Sequence, residues 1–319
     1  MKKIMMLALI VLTCQTYAQD VPDTVSTVTN IILNTKTGKI YGSLSVPSKS
    51  KTFPLVLIIA GSGPTDRNGN SGAAVTSNSY KILADSLLHH NIASLRYDKR
   101  GIAESADSTL KEENMVFETY ITDAEDWVNL LKKDKRFSCI IIAGHSEGSL
   151  VCMVASANKK VDKYISIAGT GEPVYETLKK QLAMQPEPLK KSCYAILDTL
   201  ASGKIFTGVP AMLSSLFRPS VQPYLISWFK YDPKKEIAKL TIPVLIINGT
   251  TDIQVAEDNA TNLHNACRQS KLVIIDGMTH LLKDGPADRD KNITLYKTTP
   301  NRPIKTELVE AIVNFIKVK

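Results

Sequence analysis

Residues 139–148 read Cys-Ile-Ile-Ile-Ala-Gly-His-Ser-Glu-Gly, and this stretch decides how the rest of the chain is interpreted. Its first half is continuously apolar, which is typical of a strand that is covered on both faces in a parallel sheet. Its second half matches the pattern Gly-x-Ser-x-Gly and opens a helical pattern. A sharp turn there would push the oxygen of Ser146 out of the sheet, and flanking glycines would avoid collisions with the neighbouring strand and helix. The alternative is an ordinary glycine-containing turn.

Apolar strand patterns alternate with helical patterns on both sides of this segment. Strands are predicted at 55–60, 92–96, 164–168, 243–248 and 272–275, and helices at 79–88, 118–132, 147–157, 255–267 and 306–316. Such alternation implies right-handed crossovers and a doubly wound, mostly parallel sheet. Residues 28–46 alternate apolar and polar residues around a central turn, which predicts an N-terminal β-hairpin.

The alternation stops between residues 172 and 240. This stretch carries helix-like segments broken by prolines, and we predict a helical cap insertion there. Residues 283–303 are polar and contain three prolines, so they are predicted only as a long loop.

The beginning of the chain predicts export. Lys2 and Lys3 precede an apolar run at 4–12, and Ala18 ends a stretch suited to signal-peptidase cleavage. The run is too short to span a bilayer, so we expect a signal peptide at 1–18 and a periplasmic or secreted α/β chain at 19–319 without a stable membrane span. A lipoprotein acylated at Cys14 is the alternative.

Composition and charge exclude several classes of protein. With 319 residues, 44% of them hydrophobic and 22% charged, the chain is neither disordered nor collagenous. The net charge of +8 comes from scattered lysine pairs without interleaved aromatic residues, so we expect no nucleic-acid binding. The even number of cysteines after the signal peptide permits disulfides, but apolar surroundings at Cys139 and Cys152 favour free thiols; the other two are Cys193 and Cys267. No metal-binding spacing is present, and nothing indicates an oligomeric state.

A serine nucleophile needs a base, which is usually histidine. The other histidines lie in helical patterns or inside the serine turn: His89, His90, His264 and His145. His280 instead follows a predicted strand, on a loop at the carboxyl end of the sheet, and it is the predicted base. A loop histidine that is hydrogen-bonded only for structure is the alternative.

The base in turn needs an acceptor for its second ring N–H. Asp252 follows the strand at 243–248 and is the first candidate, while Glu172, after the strand at 164–168, is the second. An aspartate that bonds only its own turn is the alternative for Asp252.

The negative oxygen of a tetrahedral intermediate needs two hydrogen-bond donors. We predict the backbone N–H of Glu147, at the amino end of the helix after Ser146, and that of Ser62, in the glycine-rich loop at 61–64. A phosphate-binding loop is the rival interpretation of these glycines, but no Gly-Lys-Ser/Thr or Gly-x-Gly-x-x-Gly pattern follows.

The order Ser146, Asp252, His280 is the order expected of an α/β-hydrolase. The chain resembles that superfamily over about residues 28–318, in the branch of serine aminopeptidase-like and esterase D-like acyl hydrolases. The matching segments are 60–70, 96–101, 144–148, 249–252 and 279–280. Relatives usually carry a second glycine where Ala103 stands. Asp66, Arg67 and Asp98 lie in the matching segments, where they either line the site or form turn-stabilising ion pairs.

This resemblance implies a serine hydrolase that cleaves carboxylic esters, with small or short-acyl substrates, through Ser146, His280 and Asp252 and without a cofactor. Apolar residues of the cap suggest a small acyl pocket, although any helical insertion must bury such residues: Leu216, Phe217, Tyr224, Trp228 and Phe229. The alternatives are a serine peptidase with the same three residues and a non-catalytic binding protein.

Overall fold

The computed structural model describes residues 27–48, 50–159, 161–298 and 302–318, with only the backbone described at 296–298. The predicted signal peptide at 1–18, including Cys14, lies outside the described residues. The strands are β1 (Thr27–Thr35), β2 (Gly38–Val46), β3 (Phe53–Ile59), β4 (Ala93–Tyr97), β5 (Phe137–His145), β6 (Lys163–Ile167), β7 (Val244–Gly249) and β8 (Lys271–Ile275). The helices are α1 (Ser79–His89), α2 (Phe117–Leu131), α3 (Glu147–Asn158), α4 (Val174–Leu182), α5 (Glu187–Ala201), α6 (Ser214–Phe217), α7 (Gln222–Trp228), α8 (Pro233–Ile237), α9 (Asp258–Ala266), α10 (Arg289–Thr298) and α11 (Thr306–Lys317).

The strands form one sheet in the order β1-β2-β4-β3-β5-β6-β7-β8. The hairpin of β1 and β2 is antiparallel, β2 pairs antiparallel with β4, and every pairing from β4 to β8 is parallel. The prediction of a mostly parallel, doubly wound sheet with an N-terminal hairpin is therefore confirmed. In such a sheet the carboxyl ends of the parallel strands meet along one edge, where ligands bind.

Two hydrophobic layers cover the sheet, and β3 shows how one strand serves both. Leu55, Leu57 and Ile59 belong to the layer that includes α2, α3 and the residues between β6 and β7. Val56 and Ile58 belong to the opposite layer, with α1 and α11. Successive side chains of a strand point to opposite faces, so a strand buried on both sides is apolar throughout.

Helix α3 lies deep in the molecule, directly after the serine turn. Its residues 147–156 are all buried, and it packs against β5, α2 and α8. A helix that is surrounded on all sides has no polar face, which explains why its sequence shows no clear amphipathic pattern. The turn before it is therefore held by a well-packed element.

The residues between β6 and β7, where the sequence predicts a helical cap at 172–240, form the helices α4 to α8. Phe117, the first residue of α2, stacks on Trp228 with ring centroids 5.6 Å apart, and its N–H donates to Ser227 Oγ at 2.7 Å. Phe217 is also buried in this layer, and Tyr224 is partly buried against it. These cap aromatic residues thus attach the cap to α2.

The loop predicted at 283–303 contains a helix, α10. This helix is too polar to show an apolar periodicity. Hydrogen bonds from the Asn292 side chain attach it to neighbouring loops. The buried side-chain amide of Asn292 donates to the carbonyl oxygens of Thr251 and Pro286, each at 2.9 Å. The contact ties α10 to the loop after β7, which also carries Asp252.

The described residues include four free thiols, those of Cys139, Cys152, Cys193 and Cys267. Burial raises the pKa of the Cys152 thiol well above its usual value. None of the helices described here combines the length and the apolar character that crossing a bilayer requires.

Candidate active site

Ser146 occupies the turn between β5 and α3 with φ 53° and ψ −121°. A non-glycine residue with positive φ is uncommon and costs of the order of 1–3 kcal/mol, so the surrounding structure must impose it. The Ser146 N–H donates to the carbonyl oxygen of Ile167 at 2.9 Å, which anchors the turn to the end of β6. The strained strand-to-helix turn that the sequence predicts is present.

The glycines on either side of the turn are required by close backbone contacts. A Cβ atom on Gly144 would lie 2.1 Å from the carbonyl oxygen of Gly148. A Cβ on Gly148 would lie 2.5 Å from the carbonyl oxygen of Ile59 at the end of β3. Real Cβ contacts are never this short, so both positions exclude any side chain.

Asp252 and His280 are brought together by the loops that follow β7 and β8. His280 Nδ1 lies 2.7 Å from Asp252 Oδ2, and both side chains are buried. The other carboxylate oxygen, Oδ1, accepts the N–H groups of Gln254 and Val255 at 2.8 and 2.9 Å. A carboxylate only accepts, so Nδ1 carries the hydrogen and Nε2 of a neutral His280 keeps a lone pair. Asp252 therefore bonds its own turn and the imidazole as well.

Glu172, the second candidate acid, lies elsewhere in the hydrogen-bond network. Its carboxylate pairs with the ammonium of Lys180 at 2.5 Å, on the exposed side of the cap. The structure thus selects Asp252 as the partner of His280.

His145 links the serine turn to the loop of His280. Its Nε2 lies 3.0 Å from the carbonyl oxygen of His280, and the two imidazole rings are 4.6 Å apart between centroids. The Ser146 hydroxyl makes no hydrogen bond among the residues that the structure describes. Hydrogen bonds between catalytic groups are often long without substrate and shorten in the substrate complex.

The glycine-rich loop after β3 lies directly against the serine turn. A Cβ on Gly61 would be 3.1 Å from Ser146 Cβ. Ser62 follows and is exposed, while Glu147 begins α3, where the N–H has no partner within the helix. The two predicted donors therefore belong to segments that meet at Ser146.

Tyr80 and His145 form a buried hydrogen-bond chain that the sequence did not reveal. The Gly61 N–H donates to the Tyr80 hydroxyl oxygen at 3.2 Å, and this hydroxyl lies 2.8 Å from His145 Nδ1. Because the carbonyl oxygen of His280 can only accept, His145 carries its hydrogen on Nε2 and Nδ1 accepts from Tyr80. Burial, together with nearby His280, lowers the pKa of His145 to about 3, so its imidazole is neutral.

Lys99 is a second buried residue that the sequence did not single out. It follows β4, and only 3% of it is exposed. Its ammonium donates to the carbonyl oxygen of Gly61 at 2.5 Å and lies 3.4 Å from Glu147 Oε1. A cation and a carboxylate are therefore buried together behind the serine turn.

The other charged residues of the matching segments shape the loops around the site. Arg67 forms a buried ion pair with Asp98, with Nη2 and Oδ2 2.5 Å apart, and Asp98 Oδ1 accepts the Arg67 N–H at 2.7 Å. Asp66 accepts backbone N–H groups within its own turn. Of the two interpretations left open, these contacts favour the structural one. Ala103 adopts a left-handed φ of 45°.

A groove of about 550 Å³ opens beside Asp252. The cap helix α4, the loop after β7, and α10 form its walls. Its lining includes Ala74, Glu172, Lys180, Met184, Asp252, Ile253, Asp258, Arg289 and Ile293. Across the described ranges, no three His, Cys, Asp or Glu side chains are grouped so that they could hold a metal ion.

Comparisons with known proteins agree with this architecture. The family model described as serine aminopeptidase, S33, matches residues 69–203. Esterase EstD of Thermotoga maritima is 30% identical over 249 residues, which cover 76% of this chain. This chain spans 58% of the length of that curated relative.

Several solved structures share the fold. Est1E from Butyrivibrio proteoclasticus superposes with a TM-score of 0.58 at 19% identity, covering 90% of this chain and 96% of that one. The esterase EaEST from Exiguobacterium antarcticum gives 0.54 at 16% identity, covering 91% and 100% respectively. At these identities the likeness concerns the fold.

Proposed function

This chain belongs to the α/β-hydrolase superfamily, in the branch of serine aminopeptidase-like and esterase D-like hydrolases, and from that premise we propose that it is a serine esterase. Its substrates are small or short-acyl carboxylic esters. Ser146 is the nucleophile, His280 the general base and Asp252 the residue that orients the base. The backbone N–H groups of Ser62 and Glu147 form the oxyanion hole.

One observation carries this proposal. Ser146 is held at positive φ directly after His145, at the end of β5. His145 is hydrogen-bonded to the backbone of His280, and the His280 side chain is paired with Asp252. A strained turn costs stability, and such strain is concentrated at functional sites. A buried pair in which aspartate fixes the tautomer of histidine is what a serine nucleophile requires.

The reaction has two halves. Ser146 Oγ attacks the ester carbonyl carbon while His280 Nε2 accepts its proton, and the negative carbonyl oxygen binds the N–H groups of Ser62 and Glu147. The bond to the alcohol oxygen then breaks, and His280 returns the proton so that the alcohol leaves. Water repeats the sequence on the acyl-enzyme, which releases the carboxylic acid and restores Ser146.

Ester cleavage is favoured over peptide cleavage by the curated relative, because EstD is named as an esterase. A serine peptidase remains the second candidate, since the matching family model is described as serine aminopeptidase. A peptide amino terminus would need a carboxylate in the groove; there Glu172 is paired with Lys180, and Asp258 accepts a hydrogen bond from the Asn259 side-chain amide.

The test is labelling of the purified chain with a fluorophosphonate probe, with Ser146→Ala as the matched control. We expect labelling in the wild type and none in the variant, together with faster hydrolysis of p-nitrophenyl acetate than of aminoacyl anilides. Labelling that persists in Ser146→Ala refutes the nucleophile. Faster anilide cleavage replaces the esterase with the peptidase.

Asp252→Asn tests the orienting role separately. In a serine protease, the equivalent change of aspartate to asparagine lowers kcat by about 10⁴-fold because the imidazole takes the wrong tautomer. We expect a loss of that order here, with KM changed far less. A loss below about tenfold contradicts the role of Asp252.

We also propose that the chain is exported, with cleavage after Ala18. Mass spectrometry of the exported protein checks this proposal: the expected amino terminus is Gln19. An acylated amino terminus at Cys14 supports the lipoprotein instead, a chain that retains Lys2 and Lys3 refutes cleavage after Ala18, and a chain found only in the cytoplasmic fraction refutes export.

A further inference from the structure

We propose that Lys99 is a positioning residue of the oxyanion hole, which holds and polarises the peptide group between Gly61 and Ser62. This inference rests on the proposed function, because it concerns the N–H of Ser62 as a donor to the tetrahedral intermediate. It assigns a role to a buried cation that the reaction sequence above does not use.

The contacts of the peptide group between Gly61 and Ser62 fix its orientation. The carbonyl of Gly61 and the N–H of Ser62 belong to the same planar unit, and no cis peptide bond occurs in the described chain. In a trans peptide these two groups point in opposite directions. Lys99 Nζ donates to the Gly61 oxygen at 2.5 Å, so the Ser62 N–H is directed away from Lys99.

The order of the strands in the sheet shows what lies on each side of this peptide group. β3 lies between β4 and β5, with Lys99 following β4, Gly61 following β3 and Ser146 at the end of β5. Lys99 and Ser146 therefore flank Gly61 from opposite sides. A peptide whose carbonyl faces the β4 side presents its N–H toward the β5 side, where the nucleophile stands.

Further contacts hold this peptide group and Lys99 in place. The N–H of Gly61 donates to the hydroxyl of Tyr80 at 3.2 Å, so both backbone groups of Gly61 are bonded. The carboxylate of Glu147 lies 3.4 Å from the Lys99 ammonium, and the Tyr120 ring lies 5.1 Å from it. Glu147 also carries the second oxyanion donor on its backbone. One buried ion pair thus connects the segments that carry both donors.

Lys99 also acts electrostatically on the N–H of Ser62. A cation on a peptide oxygen draws electron density from the nitrogen and makes the N–H a stronger donor, and hydrogen bonds in a chain strengthen one another. Lys99 is almost fully buried, so water screens this effect little. A buried ion pair often adds little net stability over apolar residues of the same volume, so stability alone does not account for the pair.

The experiment compares Lys99→Met and Lys99→Arg with the wild type, using p-nitrophenyl acetate as substrate and a trifluoromethyl ketone as a tetrahedral-adduct inhibitor. Direct removal of one oxyanion donor costs about 10²–10³-fold in kcat. Because Lys99 acts through the peptide, we expect Lys99→Met to lower kcat by about 10- to 100-fold, with KM within about threefold of wild type. Inhibitor affinity falls by a similar factor, and Lys99→Arg lies between the two.

Lys163→Met is the matched control for lost stability. Lys163 also donates to backbone carbonyls, those of Phe315 and Ile316, but it stands at the start of β6, away from the carboxyl edge. We expect this variant to lower the thermal stability while kcat and inhibitor affinity stay at the wild-type level.

The outcomes separate the two proposals. Absence of Ser146-dependent hydrolysis in the wild type refutes the proposed function. Ser146-dependent hydrolysis with an unchanged kcat and inhibitor affinity in Lys99→Met overturns only the role of Lys99. If Lys99→Met does not fold, Lys99→Gln decides, because glutamine keeps an N–H donor and loses the charge: a wild-type kcat and inhibitor affinity overturn the inference, and a reduced kcat with unchanged KM supports it.

Discussion

Replacing His145 by glutamine should alter how the stability of the protein depends on pH. His145 is buried, accepts a hydrogen bond from Tyr80 on Nδ1 and donates from Nε2 to the carbonyl oxygen of His280. Burial holds its pKa at about 3 in the folded chain, against 6.5 for an ordinary histidine. Glutamine also offers an uncharged N–H donor near the position of Nε2, but it does not titrate.

The magnitude follows from the difference between these pKa values. Below pH 6.5 the unfolded chain binds a proton at His145, whereas the folded chain binds it only near pH 3. Stability is therefore fully present above pH 6.5 and is lost as the pH falls, by about 1.4 kcal/mol for each unit. Between pH 7 and pH 4.5 this one group removes about 2–3 kcal/mol from the free energy of unfolding.

His145→Gln lacks this loss but also lacks the hydrogen bond to Tyr80, which costs about 1–3 kcal/mol at every pH. We therefore expect the variant to be less stable than the wild type at pH 7 and nearly equal to it at pH 4.5. Urea unfolding at the two pH values measures both free energies.

Ser149→Ala is the control, because it removes a buried hydroxyl that bonds Tyr164 and Ser166 and does not titrate. Its difference from the wild type should be the same at both pH values. If the difference between His145→Gln and the wild type is also unchanged, within about 0.5 kcal/mol, His145 is not a buried neutral group and the reasoning fails.

Three further predictions, two of them with a matched control variant, concern the stability of the fold and are tested by urea unfolding. Gly148→Ala should lower the free energy of unfolding by more than about 3 kcal/mol, because the new Cβ would lie 2.5 Å from a β3 carbonyl oxygen. Gly203→Ala is the control: this glycine has φ 79° and open space around it, so the loss should be only about 1 kcal/mol. Equal losses in the two variants would contradict the steric argument. Asp123→Asn leaves its buried arginine partner unpaired and should cost about 3–5 kcal/mol, against under about 1 kcal/mol for Asp134→Asn in an exposed pair. Ala103→Gly should raise stability by up to about 1 kcal/mol by relieving a positive φ, and a loss would show that the strain is absent.

The fold was predictable from local patterns because a strand covered on both faces has to be apolar along its whole length. Strand β5 and the turn after it illustrate this point, since the apolar run and the paired glycines lie within ten residues. Boundaries were less certain: α9 begins at Asp258 rather than near 255, because the N–H groups of Gln254 and Val255 are bonded to Asp252 instead.

The site was predictable in part. Ser146, Asp252 and His280 each follow a predicted strand, and the carboxyl ends of parallel strands meet at one edge. Helix α10 was not predictable, because it is held by the side chain of Asn292 and not by an apolar face. The apolar residues of the cap predicted burial, but not that Trp228 would pack on α2.

The sequence by itself determined the alternation of strands and helices that builds the parallel sheet, the strained serine turn and the candidates for nucleophile, base and acid, because these depend on periodicity and on neighbours in the chain. Only the tertiary structure decided that Asp252 and not Glu172 reaches His280, and that His145, Tyr80 and Lys99 belong around the site. Tyr80 and His145 are 65 positions apart, and Gly61 and Lys99 are 38 apart. Such contacts form when the sheet aligns its strand ends, and no local pattern of residues encodes a distance between loops.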